Sequence, residues 1–150
     1  MIREYQTKDL DSVMSLWLSG NQQAHHFIDP QFYQNNYEFV KMLMPASTIF
    51  VQDIDGVRGF IGLMDNYISG LFVDEHYRHQ NIGKALIAKA KQLHNELTVI
   101  VYKQNSSAIA FFQSQGFEVI GESINEETLE PEVTMSCVVN HTVKIGKCAL

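Results

Sequence analysis

The chain is organised around residues 69–90, which read SGLFVDEHYRHQNIGKALIAKA. Residues 70–73 are apolar and β-prone, so they predict a short buried strand. From Lys84 onward, apolar residues recur every three to four positions and predict an amphipathic helix. Residues 78–83 form the loop between them. Free N–H groups of such a loop converge with the positive end of the helix dipole, and this geometry binds phosphate.

Two motifs in this part of the chain resemble those of a known family. Residues 78–85, RHQNIGKA, resemble the Arg/Gln-x-x-Gly-x-Gly/Ala pyrophosphate loop of the GNAT family of N-acetyltransferases, which bind acetyl-CoA. Residues 105–117, NSSAIAFFQSQGF, are similar to that family's Asn-x-x-Ala-x-x-Phe-Tyr-x-x-x-Gly-Phe segment. Each motif alone is a weak signal, but their order and spacing together are specific. The resemblance extends over residues 1–138.

Two positions depart from the family's motifs. Asn81 stands where the family usually has its first glycine. Asparagine is the residue next best suited to a positive φ, so binding by the loop is still expected. Phe112 stands where many members have a tyrosine that protonates the departing CoA thiolate. A phenyl ring has no proton to donate, which leaves that role open.

Length and composition indicate one globular domain. The 150 residues are 45% hydrophobic and 19% charged, which suits a soluble protein with a sizeable core. We expect an N-acetyltransferase domain over residues 1–138 and a C-terminal tail over residues 139–150. No apolar run is long enough for a membrane span, and no signal peptide follows Met1, so the expected location is the cytoplasm.

The net charge of −6 argues against general nucleic-acid binding, which needs a basic surface. This charge is compatible with a cationic acceptor, and ordinary solubility explains it equally well. Cys137 and Cys148 both lie near the C-terminus, without the spacing of a metal site, and we expect free thiols and no metal.

The order of elements predicts an α/β fold, with a mixed sheet of the α+β kind. Thr7 is the expected N-cap of the first helix, and Gly20 and Asn21 its expected end. The GNAT resemblance implies a central, mostly antiparallel sheet of six to seven strands flanked by about four helices. Expected strands cover residues 2–5, 48–53, 57–64, 70–73, 98–102, 117–120 and 133–137, and expected helices cover 8–19, 30–44, 84 onward and 106–115.

The resemblance also implies the contacts made with acetyl-CoA. Backbone groups of residues 71–73 would pair with the pantetheine arm as an added strand would. Loop N–H groups would hold the pyrophosphate, with Arg78 or Lys84 adding charge. Asn105 resembles the family's asparagine that contacts pantetheine through its amide. The alternatives are that Asn105 is a plain helix N-cap and that Arg78 and Lys84 are solvated. The expected cofactor-binding residues are Leu71, Phe72, Val73, Arg78, His79, Gln80, Asn81, Ile82, Gly83, Lys84, Asn105, Ala108, Phe111 and Phe112.

Acetyl transfer to an amine requires a proton acceptor, a stabilised oxyanion and, in some enzymes, an acid for the thiolate. The glutamate that many members carry on the strand before Asn105 is absent here. His26 lies in the loop expected to face the acceptor, and histidine titrates in the range suited to proton transfer. His26 and Tyr102 are therefore the predicted catalytic residues. The alternatives are a surface histidine and a packed strand aromatic, and His25 is expected to be structural or exposed.

The expected function is acetyl-CoA-dependent N-acetylation by direct transfer to a primary amine, with CoA as product. The chain resembles small bacterial members that begin Met-Ile-Arg and carry a histidine in the first interhelical loop, which favours a protein or peptide lysine over a small amine. Phe112 and the missing glutamate favour the competing interpretation, a weak or inactive acyl-CoA-binding module that regulates a partner. A transferase for longer acyl chains is a third possibility. We expect a monomer or homodimer with no nucleic-acid or membrane partner.

Overall fold

The computed structural model describes residues 1–139. Within them the α-helices are α1 (Leu10–Ala24), α2 (Pro30–Leu43), α3 (Ile82–Leu93) and α4 (Ser106–Ser114). The strands are β1 (Ile2–Glu4), β2 (Thr48–Asp53), β3 (Val57–Met64), β4 (Tyr67–Val73), β5 (Glu96–Tyr102), β6 (Glu118–Ile124) and β7 (Pro131–Val138). No helix in this part of the chain is long and apolar enough to cross a membrane. Apart from Val139, the predicted tail, with Cys148, lies outside the described residues.

The seven strands of residues 1–139 form one sheet in the order β1-β2-β3-β4-β5-β7-β6. All neighbouring strands are antiparallel except β4 and β5, which are parallel. A mixed, mostly antiparallel sheet with four flanking helices was predicted, and the structure confirms it. The crossover from β4 to β5 is made by α3, so residues 69–90 do carry the change of strand direction.

The helices cover the sheet on both faces. One face packs on α3 and α4, with Leu86, Ile87 and Phe112 in a core shared with the sheet. The opposite face packs on α1 and α2, where Val13 and Met14 contact a second buried cluster. We call these the α3 face and the α1 face. Side chains alternate along each strand, so successive residues of a strand point to the α3 face and to the α1 face in turn.

The sheet opens between its two parallel strands. β4 and β5 pair only at Tyr67 with Thr98 and at Ile68 with Val99. The pairing of β4 with β3 shifts at this point, since Gly62 pairs with Gly70 and Leu63 with Ile68. Ser69 is the extra residue of this β-bulge, and a bulge bends its strand. Beyond it, the facing backbone edges of β4 and β5 separate and enclose a gap.

Several predicted boundaries were wrong. Helix α1 was expected to end at Gly20 and Asn21, but it continues to Ala24 because the Asn21 amide donates to the Trp17 carbonyl 2.8 Å away instead of breaking the helix. Thr7 is not an N-cap: it lies inside a 3-10 turn, Thr7–Asp9, in which the Asp9 carboxylate accepts from the Gln6 N–H. Strands β4, β5, β6 and β7 are longer than predicted because pairing extends through polar residues.

Gly20 remains important inside α1 for a packing reason. A β-carbon at this position would overlap Cδ1 of the Phe72 ring on β4. The Phe72 ring in turn packs against Phe60, with ring centroids 5.6 Å apart. A glycine therefore lets α1 approach the strand that borders the gap.

We predict that Gly20→Ala destabilises the fold and weakens CoA binding. Alanine favours a helix interior by up to about 1 kcal/mol over glycine. Overpacking costs about 1–3 kcal/mol, so the displacement of Phe72 should dominate. Urea unfolding measures the first effect and calorimetry the second. Ser15→Ala, at an exposed position of the same helix, is the control. A Gly20→Ala protein as stable as Ser15→Ala would contradict this account of the packing.

Candidate active site

A cleft of about 1080 Å³ occupies the gap between β4 and β5. Its walls come from the separated strands, the loop before α3, the start of α4 and the loop between α1 and α2. Thirteen of the fourteen predicted cofactor-binding residues line it, and Gln80 is the exception. The predicted catalytic residues His26 and Tyr102 line it as well. The two sequence motifs, far apart in the chain, therefore meet at one site.

The separated strand edges line the cleft with backbone groups that do not pair with another strand. β4 hydrogen-bonds to β3 along its outer edge, and β5 to β7 along its own. Past Ile68 and Val99, neither strand pairs with the other across the gap. An extended amide-containing ligand can satisfy such edges as an added strand does. Leu71, Phe72 and Val73 are the β4 residues on this wall.

The loop before α3 is shaped to present backbone N–H groups. His79 and Asn81 have positive φ values of 68° and 60°, in the left-handed region. The Asn81 side chain makes no capping hydrogen bond, and the first helical bond found runs from Ala85 N–H to the Asn81 carbonyl at 3.0 Å. The N–H groups that precede Ala85 have no partner four residues back in the helix. The prediction that Asn81 adopts a positive φ is confirmed.

Gly83 lies where α3 meets α4. A β-carbon there would lie 3.2 Å from Cζ of Phe111, which is tighter than ordinary contact. The side chains of Arg78 and Lys84, at the mouth of the same loop, are both exposed. Arg78 Nη2 donates to Oε1 of Gln23 on α1 at 3.3 Å, which holds the guanidinium beside the cleft. This loop thus combines free donors, the helix dipole and two positive side chains, and it suits an anion.

Asn105 caps the start of α4 and also contacts the loop between α1 and α2. Its Oδ1 accepts from the Ala108 N–H at 3.2 Å at the start of α4. Its Nδ2 lies 3.2 Å from Nε2 of His25, which places the amide against the α1–α2 loop. The N-cap alternative is therefore present, and the same side chain also joins the two sides of the cleft.

His25, not His26, is the more enclosed histidine. Its Nδ1 lies 2.8 Å from the Tyr33 hydroxyl, and its ring stands edge-on to Tyr102 with centroids 4.9 Å apart. Burial lowers the pKa of His25 from 6.5 to about 4. His25 was expected to be structural or exposed; its ring is half-buried and hydrogen-bonded, so the expectation of an exposed ring was wrong. His26 is exposed at the cleft mouth, with its ring 5.5 Å from that of Phe27.

Tyr102 lines the cleft on its α1 face. Its hydroxyl lies 3.4 Å from Thr128 Oγ1. Burial, followed by interaction with the Tyr102 hydroxyl, raises the pKa of Tyr33 above its ordinary value. Burial, followed by the charge of Glu132, raises the pKa of Tyr67. The hydroxyls of Tyr33 and Tyr67 therefore stay protonated and can donate hydrogen bonds at neutral pH.

Sequence reasoning missed Tyr67 and Glu132, which also line the cleft. The signal that could have found Glu132 is strand pairing: it lies directly opposite Tyr102 across β5 and β7. Such pairs project side chains to the same face. Without the register, Glu132 is only one acid in an acidic segment.

Phe112 is a core residue at the edge of the cleft. It is 5% exposed, and its ring packs edge-on against Phe111 and Phe117 with centroids 5.4 and 5.2 Å away. The ring therefore serves packing, and donors to a thiolate must come from elsewhere. No group of three or more His, Cys, Asp or Glu side chains within residues 1–139 is placed to hold a metal.

We predict that Asn81→Gly keeps or improves CoA affinity, because glycine adopts the left-handed conformation freely. Asn81→Ala should weaken binding by up to about tenfold, because alanine adopts the left-handed conformation less readily than asparagine. Calorimetric titration with CoA measures both. Asp65→Ala is the matched control, because Asp65 also has a positive φ, 53°, but lies in the β3–β4 turn. An affinity loss in Asn81→Gly equal to that in Asn81→Ala would show that the asparagine side chain itself is needed.

We predict that His25 makes stability fall in acid. Its folded pKa of about 4 lies below the ordinary 6.5, so the unfolded chain takes up the proton first. The contribution is fully present above pH 6.5 and is lost as pH falls toward 4. The stability difference between wild type and His25→Gln, from urea unfolding at several pH values, should shrink through this window. His76→Gln, which changes an exposed histidine, is the matched control. A constant difference for His25→Gln would contradict the prediction.

Comparisons with known proteins agree with this geometry. The model of the acetyltransferase (GNAT) domain matches residues 18–138. The peptidyl-lysine N-acetyltransferase YiaC of Escherichia coli K12 is 32% identical over 146 residues, which cover 95% of this chain and all of YiaC.

Solved structures share the fold. The solution structure of apo YjaB from Escherichia coli superposes with a TM-score of 0.81 at 24% identity, covering 93% of this chain and 98% of that one. The YncA acetyltransferase of Salmonella typhimurium, solved with acetyl-CoA, gives a TM-score of 0.64 at 15% identity and covers 94% of each chain. The domain match and the full-length similarity to YiaC establish that the chain belongs to the GNAT family of N-acetyltransferases.

Proposed function

We propose that this protein transfers the acetyl group of acetyl-CoA to the ε-amine of a lysine side chain in a protein or peptide. The observation that carries the proposal is a single cleft that is lined both by the loop before α3 and by Tyr67 and Tyr102 on the α1 face. The similarity to YiaC, named a peptidyl-lysine N-acetyltransferase, supports lysine as the acceptor. The cytoplasm remains the predicted location.

In this proposal the loop around Asn81 binds the pyrophosphate of acetyl-CoA, and the separated edge of β4 binds the pantetheine arm. A backbone N–H near Phe72, on the edge of β4 that faces the gap, would donate to the thioester oxygen, where negative charge develops during attack. The amine adds to the carbonyl carbon, the C–S bond breaks, and CoA leaves as a thiolate. The amine gives up one proton to a base, and the thiolate gains one from an acid or from water.

The proton-transfer roles are assigned from the exposure and the acid–base chemistry of each side chain. His25 is a weak base, because its pKa is about 4 and both its ring nitrogens are engaged. His26 is exposed at the cleft mouth and is the better candidate for the base. Tyr102 is the proposed proton donor to the thiolate, since the phenyl ring of Phe112 cannot serve. Its ring lies in the cleft wall, next to His25.

We predict that His26→Ala lowers kcat/KM by at least tenfold, because loss of general-base help costs about 10²- to 10⁴-fold. The acid limb of the pH profile should flatten in the same variant. His76→Ala, which changes an exposed histidine beside Glu75, is the matched control. If the acid limb persists in His26→Ala, the residue shapes the acceptor pocket and proton removal passes to solvent or a water chain to Glu75.

The competing module hypothesis is not favoured, because relatives across the chain's length are named as acetyltransferases. The deciding experiment is turnover of acetyl-CoA against a panel of lysine peptides, diamines and aminoglycosides, with the product identified by mass spectrometry. Acetylation of the lysine side chain supports the proposal. Tight CoA binding without transfer to any amine would overturn it, and a preference for a larger acyl-CoA would reassign the donor.

A further inference from the structure

Glu132 is an acid of the cleft that the reaction described above does not use. It lies on β7 opposite Tyr102 of β5, in the register of the antiparallel pair. Val133, the next residue, belongs to the buried core on the α3 face. Glu132 therefore projects to the α1 face, on the same side as Tyr102. It lines the cleft together with Tyr67 and Ile100.

The Glu132 carboxylate has no cationic partner among residues 1–139. None of the ion pairs in this part of the chain includes it, and Lys103, one residue beyond Tyr102, pairs with Glu122 at 2.6 Å instead. Within residues 1–139, the one hydrogen bond to this carboxylate comes from Asn125 Nδ2 to Oε2 at 3.3 Å. That bond orients the carboxylate and leaves Oε1 available.

The surroundings of the carboxylate suit an alkyl chain that ends in a cation. Tyr67, Ile100 and Tyr102 provide apolar walls that can cover methylene groups. Aromatic faces also attract ammonium groups. The hydroxyl of Tyr67 is close enough to Glu132 for the carboxylate charge to influence its titration. A half-buried carboxylate beside aromatic rings therefore favours a positive ligand and repels a carboxylate.

We propose that Glu132 binds the ammonium group of the acceptor and restricts it to primary alkylammonium compounds without a neighbouring carboxylate. The inference rests on the proposed function and adds the residue that selects the acceptor. Glu132 acts in binding: its charge stabilises the ammonium form, and the attacking species is the neutral amine. Its loss should therefore raise KM for the amine and leave kcat unchanged or higher.

The test uses Nα-acetyl-lysine methylamide as acceptor, or the best amine of the panel above. Glu132→Gln should raise KM for the amine by about 10- to 100-fold, as expected for loss of a charged hydrogen-bond partner. KM for acetyl-CoA and the Kd for CoA should stay within twofold. Glu126→Gln removes the same charge from an exposed position of the β6–β7 loop and should leave all three constants unchanged.

A second measurement separates charge from shape. Nα-acetyl-norleucine methylamide carries a similar side chain without the amine, so its inhibition constant should be equal for wild type and Glu132→Gln. An unchanged KM for the amine in Glu132→Gln, with active enzyme, would overturn the role of Glu132 alone. An equal loss of amine and norleucine binding would show that the variant merely distorts the pocket. Transfer to no amine by wild type would instead overturn the proposed function itself.

Discussion

The structure depends on the separation of two parallel strands after only two paired positions. β4 and β5 meet at Tyr67–Thr98 and Ile68–Val99 and then diverge. The Ser69 bulge bends β4 at that point, and Gly20 allows α1 to approach the Phe72 ring on the diverging strand. Unsatisfied backbone groups inside a sheet are costly unless water or a ligand supplies partners. The same separation therefore creates both the cleft and the unpaired backbone edges that water or an amide-bearing ligand can satisfy.

A chain of polar side chains connects the two sides of this opening. Asn105 starts α4 and reaches His25, and His25 reaches Tyr33 on α2. Because burial keeps the His25 ring neutral, one ring nitrogen can accept while the other donates. Two helices and an interhelical loop are thus positioned by hydrogen bonds whose direction is set by one histidine tautomer. Protonation of His25 would leave its ring with two donors and no acceptor for Asn105.

The sequence was sufficient for the sheet, the helices and the position of the loop before α3, since each has a local signature. Residues 78–85 and residues 105–117 each carry a motif that precedes a helix. Asparagine favours the positive φ that Asn81 adopts. The acceptor side could not be predicted in the same way. Tyr67 and Glu132 belong to it through strand register, and His25 exceeds His26 in enclosure only because of how the α1–α2 loop folds against Tyr102. These are tertiary relations between residues without a shared motif.

The opening also divides the sheet into two halves, β1 to β4 on one side and β5, β7 and β6 on the other. Two residue pairs and the covering helices hold the halves together, so this seam is the place where the sheet is least continuous. A ligand that bonds to both edges would act as a missing strand and join the halves into one cooperative unit. Since such a ligand binds the folded chain selectively, it raises stability with its concentration. Amide hydrogen exchange along the seam would then report how much of the enzyme in a cell is loaded.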